Sequence, residues 1–163
     1  MKFLPFVSLL VCSEASAAFD ANGVTLGASE KDVRAHFPSA YCKGLEWQSR
    51  AADRRCDDAR ISFGGMEARI TLYLRKDKVE AFDVRFDTRV LERMVAHLKE
   101  RYGKPASEVK EKIEDREQRV REVVKILWEG KAERAVLTAT AGQRRGSLLV
   151  YRGSFEEEIY RVR

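Results

Sequence analysis

Apolar positions change their spacing several times along the chain, and each change marks an element. A first block over residues 3–12 is unbroken except at Ser8 and follows Lys2. With Ala15-Ser16-Ala17 as a small-residue cleavage site and Ala18 as the new N-terminus, it reads as an export signal. It is shorter than the about 20 residues that span a bilayer. Val11 stands before Cys12 where lipid-attachment signals carry a small residue. Ser29 and Asp32 then form a capping box, Val33 and Phe37 share a helical face, and Pro38 stops the chain, so a short helix is predicted over 30–37. A polar stretch between Cys42 and Cys56 follows. A short apolar run at 60–63 ends at Gly64-Gly65, and Ala68, Ile70, Leu72 and Leu74 then alternate with Arg69, Thr71, Tyr73 and Arg75. After the turn Lys76-Asp77-Lys78, residues 79–86 form the next strand, with Phe82, Val84 and Phe86 on one face and Asp83 and Arg85 on the other.

The period then becomes helical. Val90, Leu91, Met94, Val95, Leu98 and Tyr102 make one stripe over 88–102, with Thr88 as N-cap and Gly103 and Pro105 ending it. Residues 106–122 are dense in charge. Their spacing fits a solvated helix or a long exposed hairpin arm, and we read a loop or arm leading into a strand at 119–129. Strands at 135–141 and 148–151, joined by a basic turn through Arg144-Arg145, and a terminal helix at 155–162 capped by Ser154 complete the pattern. The order is a helix and three strands, used twice. It predicts an α+β fold: one antiparallel sheet of about six strands with both helices on one face.

The segment Gly23-Val24-Thr25-Leu26-Gly27-Ala28-Ser29-Glu30-Lys31-Asp32-Val33 resembles the opening of small envelope proteins of the BamE (SmpA/OmlA) type. The helix-plus-sheet unit used twice is similar to the β-lactamase-inhibitor-protein architecture. The two cysteines, the spacing from Leu26 to Val33, and Arg101-Tyr102-Gly103-Lys104-Pro105 at a helix end also resemble uncharacterised exported proteins of Gram-negative bacteria. The resemblance implies an envelope compartment and a protein-binding role.

Composition agrees with one folded domain over 18–163: 163 residues in all, 44% hydrophobic and 35% charged. The net charge of +5 is spread among interspersed signs, which suits a solvated surface or attraction to anionic lipid, cell-wall polymer or an acidic protein. No nucleic-acid motif is present. With Cys12 removed by cleavage, Cys42 and Cys56 remain as a pair, most simply a disulfide in an oxidising compartment. The competing zinc reading would draw on His36 and Asp57-Asp58 but lacks the paired C-x2-C spacing. Neither a metal nor a cofactor is expected.

The catalytic inventory is thin. His36 and His97 sit on predicted helices, Asp57-Asp58 and Glu156-Glu157-Glu158 are adjacent carboxylates, and no nucleophile-elbow, zinc-protease or phosphate-loop pattern occurs. An enzymatic reading would need a site assembled in space. The binding reading rests on the polar face of the sheet, with Arg69, Tyr73, Arg75, Asp83 and Arg85 as candidate anchors, joined by Lys125 and one of Leu127 or Trp128. Three functions follow: a periplasmic or secreted protein-interaction module (an inhibitor or envelope-assembly accessory), an anion-binding envelope protein, or a small hydrolase.

Overall fold

Residues 18–159 are described by a computed structural model, so the export signal expected over 1–17, Cys12 included, lies outside the described residues. The chain opens on a small hairpin, β1 (Asp20–Ala21) and β2 (Val24–Thr25), and passes into helix α1 (Glu30–His36). The capping box predicted there forms. The Asp32 amide donates to Ser29 Oγ at 3.2 Å and the Ser29 amide to Asp32 Oδ2 at 3.0 Å. Four strands follow: β3 (Tyr41–Gly44), β4 (Arg54–Phe63), β5 (Met66–Arg75) and β6 (Lys78–Asp87). A 3-10 turn at Thr88–Val90 leads into α2 (Leu91–Tyr102). Asp87 caps the 3-10 turn by accepting from the Arg89 amide; Thr88, expected as the helix N-cap, instead donates its hydroxyl to the Gln143 carbonyl. A second run of four strands comes next: β7 (Ser107–Glu114), β8 (Val120–Glu129), β9 (Glu133–Thr140) and β10 (Arg145–Arg152), then the single turn α3 (Phe155–Glu158).

All eight strands from β3 onward form one antiparallel sheet in the order β3-β4-β5-β6-β10-β9-β8-β7. Each run of four is a meander in which every strand pairs with its predecessor, through short turns except at β3–β4, which the 45–53 loop joins. The two meanders join where β6 pairs with β10, from Arg145 opposite Asp87 to Tyr151 opposite Ala81.

The expected α+β fold, six strands with two helices, is therefore corrected. The described residues are mostly β, with ten strands, eight of them in one sheet, and three short helices, 18% of these residues being helical. Two strands of the large sheet escaped the periodic reading for one physical reason: neither has a face buried against the core, so neither alternates. β3 is a four-residue edge held by its ladder and by the Cys42–Cys56 disulfide to β4, the two cysteines lying directly opposite in register. β7 is exposed along its whole length and carries charge on both faces, which is how natural edge strands resist pairing with other chains. The charge spacing that suited a helix over 106–122 belongs to the β7–β8 hairpin. Its tip is closed by Asp115, which accepts from the Glu117 and Arg119 amides at 2.9 and 3.0 Å.

One sheet face carries the main core. Ile70, Leu72, Leu74, Phe82, Val84, Ile126, Trp128, Leu137, Leu148 and Val150 lie there, roofed by Val33 of α1 and by Met94 and Leu98 of α2. The β1–β2 hairpin seals one side through Phe19, Ala21 and Val24. It is fastened to the end of α2: the Tyr102 hydroxyl donates to the Asp20 carbonyl at 2.7 Å, and Arg101 pairs with Asp20.

The seam between the halves depends on close approach. Gly146 faces Phe86 across β6–β10, and a Cβ on it would lie 2.5 Å from the Phe86 ring. Phe86 is buried and cannot swing into solvent. Gly146→Ala is expected to destabilise the protein by about 1–3 kcal/mol, seen as a lower urea midpoint at unchanged slope. An unchanged midpoint would contradict this packing.

Candidate functional site

The alternation that puts Ile70, Leu72 and Leu74 into the core turns Arg69, Thr71, Tyr73 and Arg75 to the opposite face. β6 adds Asp83, Arg85 and Asp87 to that face, and β10 adds Arg145, Ser147, Leu149 and Tyr151. From β8 it is Lys125 and Leu127 that join; Trp128 points the other way and is core.

This face is not uniformly open. Near the C-terminal ends of β5 and β10 it carries a second, smaller core in which Tyr73, Ala81, Val136, Tyr151, Phe155 and Ile159 pack with Ala51 and Ala52. The polar segment that the disulfide closes, residues 45–53, crosses here together with α3. Trp47 Nε1 donates to the Ile159 carbonyl at 2.8 Å, Ser49 Oγ donates to the Glu158 carbonyl at 3.4 Å, and the Tyr73 and Phe155 rings lie 5.3 Å apart. The structure thus places Tyr73, 7% exposed, beneath α3 instead of on an accessible surface. Arg75 stays exposed and donates to the Arg50 carbonyl, tying the loop down.

Toward the other end no described element covers the face. Three charged groups stand out there. Arg55 grips Asp57 with two hydrogen bonds of 2.7 Å, and Thr71 donates to the same carboxylate at 2.7 Å. Burial works against the Asp57 charge, but these bonds outweigh it and hold the carboxyl below its ordinary range. Asp83 is buried, accepts from Ser147 at 2.6 Å, and pairs with Arg85 at 2.9 Å. Arg69 lies directly opposite Arg85 across β5–β6. Like charges opposed in a sheet repel. Asp83 offsets one of them; no carboxylate of the described residues pairs with Arg69. Arg145 likewise pairs with no carboxylate of the described residues and shares a shallow cavity of about 300 Å³ with Arg69, Arg85 and Arg144, which outnumber its two carboxylates, Glu67 and Asp87.

Of the five candidate anchors, then, Arg69, Asp83 and Arg85 lie together on the open part, while Tyr73 and Arg75 belong to the covered end. Arg144 and Arg145 were legible only as a basic turn. What brings them beside Arg69 is the β6–β10 pairing, which links residues 58 to 70 positions apart and leaves no local trace.

Asp87 supplies a titration test. Its carboxylate is bonded by the Arg89 side chain and amide, with Arg144 nearby, which lowers its pKa from 3.8 to about 2. A depressed carboxylate contributes stability above its ordinary pKa and loses it as pH falls through the folded value. The melting-temperature gap between wild type and Asp87→Asn is expected to be constant down to about pH 4 and to close between pH 4 and 2. A gap independent of pH would refute the assignment.

Other chemistry-bearing residues are separated or occupied. Asp57 and Asp58 point to opposite faces, with Asp58 accepting from the Arg60 amide at 3.1 Å. His36 bonds the Asp32 carbonyl, and His97 packs edge-on against Phe63. Glu30 lies beside both cysteine sulfurs, but these are bonded to each other and Glu30 is held by Arg34 and Arg54. No helix among the described residues is long and apolar enough to cross a membrane. No family model, no curated protein and no solved structure matches the chain.

Proposed function

We propose that this protein is an exported, noncovalent interaction module, an inhibitor or envelope-assembly accessory, that docks an acidic protein surface on the uncovered end of its sheet. The observation that carries this reading is the opposed pair Arg69 and Arg85 with Arg145 beside it, on a rigid sheet surface that no described element covers. A carboxylate from a partner would compensate Arg69 and Arg145, which pair with no carboxylate of the described residues, and Arg is a residue type enriched at binding hot spots. Val123 is half-buried on the same face, and Leu127 and Leu149, half-buried where they pack against the second core, border the charges. Export rests on the leader-like opening of the sequence, and the disulfide suits an oxidising compartment.

The test compares the mature protein with an Arg69→Glu/Arg145→Glu variant as bait in periplasmic extract. Both side chains are exposed, so the variant should keep its circular dichroism and melting temperature. The expected result is a captured protein that is lost with the variant and weakened by added salt. Equal capture by both baits, or none by either, would overturn the reading.

A further inference from the structure

A separate cationic feature lies at the opposite end of the sheet, where the β5–β6 turn, the 45–53 loop and the end of β10 enclose a cavity of about 740 Å³. We infer that this cavity is a binding site for a phosphoryl-bearing anion. Five cations line it, Arg50, Arg75, Lys76, Lys78 and Arg152, against two carboxylates, Glu80 and Glu158. Glu80 is already engaged, 3.2 Å from Arg152 Nε. That contact is Coulombic only: the buried Nε has no hydrogen-bond acceptor, while Nη2 is fixed on the Val79 carbonyl at 3.1 Å.

The two acidic residues closest in sequence are drawn elsewhere. Asp53 accepts from the Lys76 amide at 3.0 Å, and Asp77 accepts from the Glu30 amide at 3.1 Å. Neither lines the cavity. The side chains of Arg50, Lys76 and Lys78 have no partner among the described residues. Converging cations with so little internal compensation repel one another, and a multiply charged oxyanion removes that repulsion while offering several acceptors at once. The volume suits a small ligand or a lipid headgroup. Arg75, which bonds the Arg50 carbonyl, holds the loop wall of the cavity in place.

The site is independent of the sheet-face docking proposed above, and its test keeps the two apart. Inorganic pyrophosphate is titrated calorimetrically into the disulfide-intact protein at low salt, and flotation is measured with phosphatidylglycerol and with phosphatidylcholine vesicles. Saturable one-to-one binding of pyrophosphate is expected, weakened about tenfold or more in Lys76→Gln/Lys78→Gln. Both lysine side chains are exposed and bond to no described residue, and an unchanged melting temperature checks that the variant folds. Flotation with the anionic vesicles alone, lost in the same variant, would identify a lipid headgroup as the source; pyrophosphate binding without flotation would identify a free phosphate compound. The Arg69→Glu/Arg145→Glu variant is expected to bind pyrophosphate like wild type. Absence of saturable binding to either probe, or equal binding by the lysine variant, overturns the inference.

Discussion

Trp128→Ala is expected to lower the free energy of unfolding by about 3–5 kcal/mol, the largest effect of any single substitution considered for this chain. Trp128 is 1% exposed and is the largest of the fully buried side chains. Its ring meets Tyr102 edge-on at 6.1 Å, and Tyr102 in turn anchors the β1–β2 hairpin. Truncation removes that apolar contact, opens a cavity, and leaves the Gly103 carbonyl without the indole N–H that donates to it at 2.9 Å. Trp128→Phe keeps most of the ring and is expected to lose markedly less. Urea titrations followed by far-ultraviolet circular dichroism check both. A loss below about 1 kcal/mol for the alanine variant would mean that Trp128 does not occupy the core.

Replacing both bridged cysteines, Cys42→Ser/Cys56→Ser, is expected to cost about 3 kcal/mol, the chain-entropy value for a loop of about fifteen residues. A second consequence is local. The bridged loop lays Leu45, Trp47, Ala51 and Ala52 on the small core around Tyr73 and Phe155. It buries too little to hold that position against its own entropy. In a Trp128→Phe background Trp47 is the sole tryptophan, so its emission reports the loop alone. The serine variant is expected to show red-shifted emission under native conditions, before global unfolding. Reduction of the wild-type bond should do the same. An unchanged spectrum together with an unchanged urea midpoint would show that the loop is held by packing and not by the bridge.

Elements with one buried and one exposed face were legible in the sequence. β5 and β6 alternate because one face meets α1 and α2, and the α2 stripe is apolar because it lies on that sheet. The capping box at Ser29 and the helix end at Gly103 follow from local backbone hydrogen bonding, so their residues name themselves. β3 and β7 did not, since an edge strand is stabilised by a ladder to a neighbour more than by its own side chains. Missing them turned an eight-stranded sheet into six strands and overstated the helices. Within the candidate site the outward direction of Arg69 and Arg85 was readable, because it follows from period two alone. The covering of Tyr73 by Phe155 was not, because 82 residues separate them and the contact is made by packing.

What the sequence determined by itself was therefore local: turns, caps, the phase of each half-buried strand, and a cysteine pair available for bridging. These follow from interactions among residues a few positions apart. What only the tertiary structure decided was which strands become neighbours and which surfaces stay uncovered. The β6–β10 seam gathers Arg145 beside Arg69 and Arg85, and the return of α3 over the sheet buries Tyr73 and walls the cationic cavity at Arg50 and Arg152. Such long-range pairings are selected by the total burial of the folded chain and not by any short stretch of it.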